Sequence, residues 1–326
     1  MKLRISHFHW SELMGDSSDS FKKLKKPIKG YPPKPVKPLD SDCCGSGCVT
    51  CVFDLYELDL ERWQKKCDEI ESKVAVFEDG GVINVYEYKQ FPIVDVVRVS
   101  DAIKIFKFEI PDNKKLQMKC GEHLVARCTD QHGNYIIRPY TPVSKLNEKG
   151  SFLIAAKLYE SGKMSSCMLN WNIGTLVEWR GPFGTFEYYP NKYKRLLLLS
   201  GGTGITPVLQ ILNQVLGNED DVTYIYVIHS SQDASNIIML EELRQWNAHW
   251  NCDIRFCLTG TSKGEMKYGD RVYHKRIDRQ VLLEAVDQIS SKNIYVLICG
   301  TRLFNKDMCK LLQSVYGIGE ESISYF

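Results

Sequence analysis

Four consecutive leucines, Leu196 to Leu199, ending at a glycine-rich turn, constrain this chain more than any other feature. A short run that is apolar at every position suits a strand covered on both faces, and such strands belong to parallel sheets flanked by helices. The turn reads Gly201-Gly202-Thr203-Gly204-Ile205-Thr206-Pro207. Val208, Leu209, Ile211, Leu212, Val215 and Leu216 then fall at helical spacing, and Gly217 marks a stop. Glycines let the backbone turn tightly and let a ligand approach the peptide groups. A helix N-terminus offers unpaired N–H groups and a positive dipole end, which suits a pyrophosphate, and Pro207 fits a first helical turn. The same turn would also serve plain helix packing; the strand–turn–helix context favours a nucleotide. Strands over 223–229, 253–258 and 294–299 alternate with helices over 237–246, 280–289 and 303–316, and 322–326 reads as a last short strand. The expectation for residues 195–326 is a doubly wound α/β parallel sheet. Cys299-Gly300-Thr301 also follows an apolar strand and precedes a helix, so it should face the same crevice. Cys299 read alone is a small buried hydrophobe.

The 326 residues leave room for two or three domains. A formal net charge of +2 gives no polyanion-binding signal and argues against a nucleic-acid partner. There is no run of about 18 apolar residues, hence no expected transmembrane helix. The sequence shows neither an N-terminal glycine for myristoylation nor the apolar core of a secretory signal. Twelve cysteines, mostly scattered singly among apolar residues, point to a reducing compartment. The cytoplasm is the expected location, the mitochondrion the alternative, and the chain is expected to be a monomer.

Between about Phe91 and Tyr193 short β-rich runs recur over 92–99, 103–110, 123–128, 151–157 and 176–179, separated by Gly- and Asn-rich turns. Many short strands without long helices predict a small antiparallel β-barrel. Within it stands Arg138-Pro139-Tyr140-Thr141-Pro142. Arginine can pair with phosphate bidentately, tyrosine offers an aromatic face, and a threonine hydroxyl can bond a ring nitrogen. A β-turn with a surface arginine would read the same way.

Arg-Pro-Tyr-Thr-Pro, then Gly162-Lys163-Met164-Ser165, then Gly181-Pro182-Phe183-Gly184, then Gly-Gly-Thr-Gly-Ile-Thr-Pro, then Cys-Gly, in this order, resembles the ferredoxin reductase superfamily, nearest its NADH-cytochrome b5 reductase branch. The resemblance spans about Phe91 to Phe326. It implies a flavoprotein oxidoreductase with FAD and NADH as cofactors, NADPH remaining open, and cytochrome b5 or another one-electron acceptor protein as partner. It implies that Arg138 and its neighbour Pro139 border the FAD pyrophosphate, that Tyr140 lies against the isoalloxazine, and that Thr141 bonds near its N5. Lys157 and Tyr159 would border the FAD. Gly162, Lys163, Met164 and Ser165 would wrap the pyrophosphate with backbone donors and the Ser165 hydroxyl. Gly201, Gly202, Thr203 and Gly204, with Thr206, Pro207 and Gly300, would receive the dinucleotide, and Cys299 would sit near the nicotinamide. Thr141 and Cys299 are thus the residues nearest the reacting atoms. The sequence departs from the family at the acidic position expected after the second strand of the nucleotide domain. Asn236 stands there, with Asp233 as a nearby substitute. It departs again where Thr301-Arg302-Leu303 replaces prolines. These departures keep two alternatives open: an NADPH-preferring reductase with a quinone or ferric acceptor, and a flavin-binding sensor without turnover.

The organisation expected is a Lys/Pro-rich tail over 1–40, a Cys-rich segment over 41–75, an FAD-binding barrel over 85–194 and the nucleotide domain over 195–326. Cys43, Cys44, Cys48 and Cys51 offer four thiols within nine residues, a candidate zinc or iron–sulfur ligand set. All four on one short loop is cramped for a metal, and a structural hairpin or docking element is the alternative. Residues 32–56 resemble a small oxidoreductase-like N-terminal domain. A single helix over 55–70, with Leu58, Trp63 and Ile70 on its apolar side, should follow.

Overall fold

The computed structural model describes residues 33–43, 51–71, 82–260, 266–286 and 293–326, without the side chains of 68–71. Cys44, Cys48 and most of the expected tail lie outside them.

The first body is a six-stranded antiparallel sheet built from β1 (Lys89–Arg98), β2 (Ile103–Glu109), β3 (His123–Thr129), β4 (Tyr135–Tyr140), β5 (Ser151–Lys157) and β6 (Leu176–Phe183), in the order β4-β3-β6-β1-β2-β5. It closes at the seam between its outer strands. Just past β4 the Val143 N–H donates to Leu153 O (2.8 Å), and the Leu153 N–H donates to Ser144 Oγ (3.2 Å). Alternate residues therefore point into one interior. Phe91, Phe106, Phe108, Phe152 and Trp179 fill it, each at most 1% exposed. Their rings meet edge-on or stacked, with centroids 4.9–5.7 Å apart in the Phe91–Phe152, Phe108–Phe152, Phe108–Trp179 and Phe152–Trp179 pairs. Strand β4 is missing from the strands expected. Pro139 disguises it, since proline cannot donate to a ladder, yet β4 lies at the end of the strand order, where that loss is tolerated.

The second body is an all-parallel sheet of β7 (Arg195–Gly201), β8 (Tyr224–Ser231), β9 (Cys252–Leu258), β10 (Arg271–Tyr273), β11 (Ile294–Cys299) and β12 (Ile323–Tyr325), ordered β10-β9-β8-β7-β11-β12. Leu196 to Leu199 sit in its middle at 0% exposure. Burying each such side chain contributes about 1.5–3 kcal/mol. Helix α3 (Ile205–Leu216) and α4 (Leu240–Trp246) pack in one apolar core with Leu196 and Leu198. Helices α5 (Arg279–Val286) and α6 (Arg302–Tyr316) cover Leu197 and Leu199 on the other side. The doubly wound expectation holds. Helix α4 starts later than its apolar spacing suggests: Asp233 caps a short turn at Ala234–Asn236, and Met239 takes a left-handed backbone at φ 55° before the helix begins. The short β10 carries no apolar run and went unseen in the sequence.

Helix α1 (Val52–Glu71) lies on the outside of the barrel. Its buried residues are Val52, Leu55, Asp59 and Cys67, spaced at 0, 3, 7 and 15, whereas Leu58 is 41% exposed. Leu55 packs with Val125 and Phe183. Asp59, 8% exposed, takes a core position because Arg180 of β6 pairs with it. Burial pushes the Asp59 carboxyl up, against the pull of Arg180 and Arg62. Arg62 stacks over the Phe183 ring at 4.5 Å.

Candidate active site

The order β8-β7-β11 places the topological switch point of the sheet between β7 and β11, because the chain winds outward in opposite directions from β7. Ligands of open parallel sheets bind beyond the strand ends at such a point. There the turn Gly201–Gly204 and the pair Cys299–Gly300 meet. Gly202 has φ 57°, and nothing lies within 4 Å of where a Cβ would point, so its peptide faces open space. Gly204 touches the Cys299 backbone so closely that any side chain would overlap the Cys299 carbonyl. Gly201 and Gly300 both close on the ring of Phe304. Thr206 donates its hydroxyl to Thr203 O (3.1 Å), and Pro207 is buried in the first turn of α3. Thr301, where the family has proline, caps α6 by accepting the Phe304 N–H (3.2 Å). The half-buried Cys299 directs its thiol to the Phe326 carbonyl (3.5 Å), and the Phe326 ring meets Phe186 edge-on at 5.4 Å.

Beneath the turn, Ser200 and His229 face each other across β7 and β8. Both are fully buried, with Ser200 Oγ 2.9 Å from His229 Nδ1. Burial holds the imidazole neutral, its pKa lowered to about 4.

On the barrel, Arg138 and Tyr140 are two residues apart on β4 and share one face. Tyr140 is half-buried, edge-on to Trp179 at 6.0 Å, with its hydroxyl 3.7 Å from Met168 Sδ. Burial pushes its phenol up, partly offset by Arg138. The Arg138 Nη1 donates to the Ile137 carbonyl (2.7 Å). Gly162 to Ser165 open a short helix that the sequence reading did not foresee, α2 (Lys163–Leu169), with Gly162 at its N-cap. A seven-residue helix reading Lys-Met-Ser-Ser-Cys-Met-Leu gives little periodic signal. The Ser165 hydroxyl accepts the Tyr159 N–H (2.9 Å) and closes the 159–165 turn, leaving its proton to donate elsewhere. A Cβ on Gly162 would fall 2.7 Å from that hydroxyl, so any side chain there would have to push Ser165 aside. Tyr159 is 57% exposed, with the Lys157 ammonium 5.9 Å from its ring centroid. The Lys163 ammonium is engaged by Ser41 and Asp42.

One apolar core joins the two bodies. Val143, two residues past Thr141, and Ala155, two before Lys157, belong to the same cluster as Ile205, Val208 and Leu209, which follow Gly204 directly. Strand β5 also lies against Gly202–Gly204. The Arg138–Thr141 string and the nucleotide turn are therefore neighbours. Gln210, polar within the apolar run Val208–Leu212 of α3 and 1% exposed, locks the bodies together. Its Oε1 accepts the Gly121 N–H (2.9 Å), and its Nε2 donates to the Glu122 carbonyl (3.1 Å). The sequence reading missed Gln210, although a polar residue inside an apolar helical run was its visible signal.

Asp233 ends up at the carboxyl end of β8, 8% exposed. Its Oδ1 accepts the Ser235 hydroxyl (2.7 Å), the Asn236 N–H (3.1 Å) and the Asn236 amide (2.8 Å). Asn236 thus serves Asp233. Cys43 and Cys51 come together with their Sγ atoms 3.7 Å apart, and no group of three or more metal-ligating residues occurs among the described residues.

A barrel joined to a doubly wound sheet, with a glycine cradle on each, defines a two-domain oxidoreductase that binds FAD and a nicotinamide dinucleotide. The comparisons agree. Residues 90–188 match the oxidoreductase FAD-binding domain, 198–310 the oxidoreductase NAD-binding domain, and 28–72 the N-terminal oxidoreductase-like protein family. The NADH-cytochrome b5 reductase-like protein of Mus musculus is 33% identical over 303 residues, covering 90% of this chain and 95% of its own. Its Homo sapiens counterpart is 33% identical over 300 residues, covering 90% and 94%. Among solved structures, the cytochrome b5 reductase domain of Ulva prolifera nitrate reductase superposes with a TM-score of 0.67 at 22% identity, over 76% of this chain and all of that one. The chain belongs to the NADH-cytochrome b5 reductase-like family. No helix among the described residues is long and apolar enough to cross a membrane.

Proposed function

We propose that this protein oxidises NADH and delivers the electrons singly to cytochrome b5 or a similar one-electron acceptor. Bound FAD would supply the chemistry, accepting two electrons as a hydride from the dihydronicotinamide and releasing them one at a time. The chain's own groups supply position and charge, and no general base is needed.

Arg138 brings a guanidinium to the diphosphate, beside the rigid Pro139. The backbone N–H groups of Lys163, Met164 and Ser165, free of intrahelical acceptors at the start of α2, face the same anion, and Gly162 leaves room for it. Ser165 adds its hydroxyl proton. Tyr140 presents a ring face, and Thr141 a hydroxyl, to the flat ring system, with Lys157 and Tyr159 along its border. On the sheet side, Gly201 to Gly204 let the second diphosphate approach the head of α3, with Thr206 and Pro207 shaping its first turn. Cys299 and Gly300 close the crevice next to the nicotinamide, where the Cys299 thiol, hydrogen-bonded to the Phe326 carbonyl, excludes water. Asp233 supports NADH over NADPH: its remaining oxygen, Oδ2, suits a ribose hydroxyl and repels a 2′-phosphate.

The observation that carries this reading is the shared core of Val143, Ala155, Ile205 and Leu209, which supports a barrel string and a nucleotide turn that serve one crevice. The experiment is an anaerobic absorption titration of the purified chain. A yellow protein that bleaches with NADH, bleaches more slowly with NADPH, and then reduces ferric cytochrome b5 is expected. A colourless protein that takes up no FAD overturns the proposal, and bleaching without cytochrome reduction overturns the acceptor.

A further inference from the structure

Lys163 has two environments. Its backbone opens α2, while its side chain reaches outward to a different part of the chain. The ammonium donates to the Ser41 carbonyl (2.5 Å) and lies 3.3 Å from Asp42 Oδ1, more than 120 residues earlier in sequence. Asp42 is itself held. Its Oδ2 accepts the Leu39 N–H (2.9 Å), its own N–H donates to Leu39 O (2.8 Å), and its side chain is 12% exposed. The segment that carries it is tied down on α1, where the Lys34 ammonium sits 5.5 Å from the Trp63 ring centroid. Helix α1 in turn is fastened to the barrel by Leu55 and by the Asp59–Arg180 pair.

We infer that Asp42 and the Ser41 carbonyl are positioning groups for the FAD site: they hold Lys163, and through it the first turn of α2, in the conformation that receives a diphosphate. The inference rests on the reading of α2 given above. The N-terminal segment then belongs to the cofactor site without giving an atom to it. A lysine side chain has large rotamer freedom, and tethering its ammonium to the Ser41–Asp42 segment removes that freedom from the first residue of α2. The tether steadies the turn. Electrostatics alone predicts the reverse outcome, because deleting a carboxylate near an anion site strengthens anion binding. Positioning and simple charge therefore move FAD affinity in opposite directions.

The test is an FAD titration of apoprotein from the full chain, followed by quenching of flavin fluorescence. Asp42→Ala is expected to weaken FAD binding about two- to fivefold, the range of a partly exposed ion pair. Asp42→Glu should restore it. In a Lys163→Gln background, Asp42→Ala should change nothing further, since the effect passes through that ammonium. Unchanged or tighter binding in Asp42→Ala overturns the inference, as does an undiminished effect in the Lys163→Gln background. Wild-type chain that takes up no FAD fails at an earlier step and removes the flavin reading together with this one.

Discussion

Gly204 has an ordinary helical φ of −62°, so its lack of a side chain serves contact, not conformation. The Cys299 carbonyl occupies the place a Cβ would take. Gly204→Val must push the β7 turn and the β11 loop apart, which should abolish NADH binding while leaving FAD on the barrel. Unimpaired bleaching of that variant by NADH would show that the two loops do not form the nucleotide crevice. Two histidines, the buried His229 and the half-buried His123, make a different demand. His123 and His229 both have pKa values lowered to about 4 by burial. The unfolded chain binds their protons near pH 6.5, whereas the fold refuses them until about pH 4. Stability should therefore fall as pH drops below 6.5, by about 1.4 kcal/mol per pH unit for each histidine. Thermal midpoints measured between pH 5 and 6.5 check this, and His123→Leu should remove about half of the slope.

Elements differ in how openly the sequence announced them. Strand β7, the turn after it and α3 were legible because four leucines, three glycines and a 3.6-residue period agree. Strand β4 was hidden by Pro139, and α2 by its shortness and mixed polarity. The nucleotide-side residues were legible as a motif, but the barrel-side string needed resemblance, since a turn would read identically. Helix α1 was visible as a helix but not in its orientation. Its buried face includes Asp59, and the partner that makes this tolerable, Arg180, stands 121 residues away. No local pattern contains that pair. Breaking a buried ion pair usually costs about 3–5 kcal/mol because one charge is left unpaired. Asp59→Asn leaves Arg180 in that position. Lifting α1 off the barrel is a cheaper response than unfolding the aromatic interior. Hydrogen exchange should therefore rise throughout α1 and stay low in β2 and β5. Equal protection of α1 in both proteins would contradict this.

At the scale of the whole molecule, Gln210 bonds to main-chain groups of Gly121 and Glu122, and Val143 and Ala155 share a core with α3. Neither body can expose its own interior without stripping the other. The consequence is thermodynamic: barrel and sheet should melt together, as a single calorimetric peak whose van 't Hoff and measured enthalpies coincide. Gln210→Ala leaves the buried Gly121 N–H without a partner, at about 1–3 kcal/mol, and strips the half-buried Glu122 carbonyl as well. It should loosen the joint until the peak broadens or splits in two. In this protein the packing that brings the nucleotide turn beside the barrel is also what makes the two halves survive or fail as one.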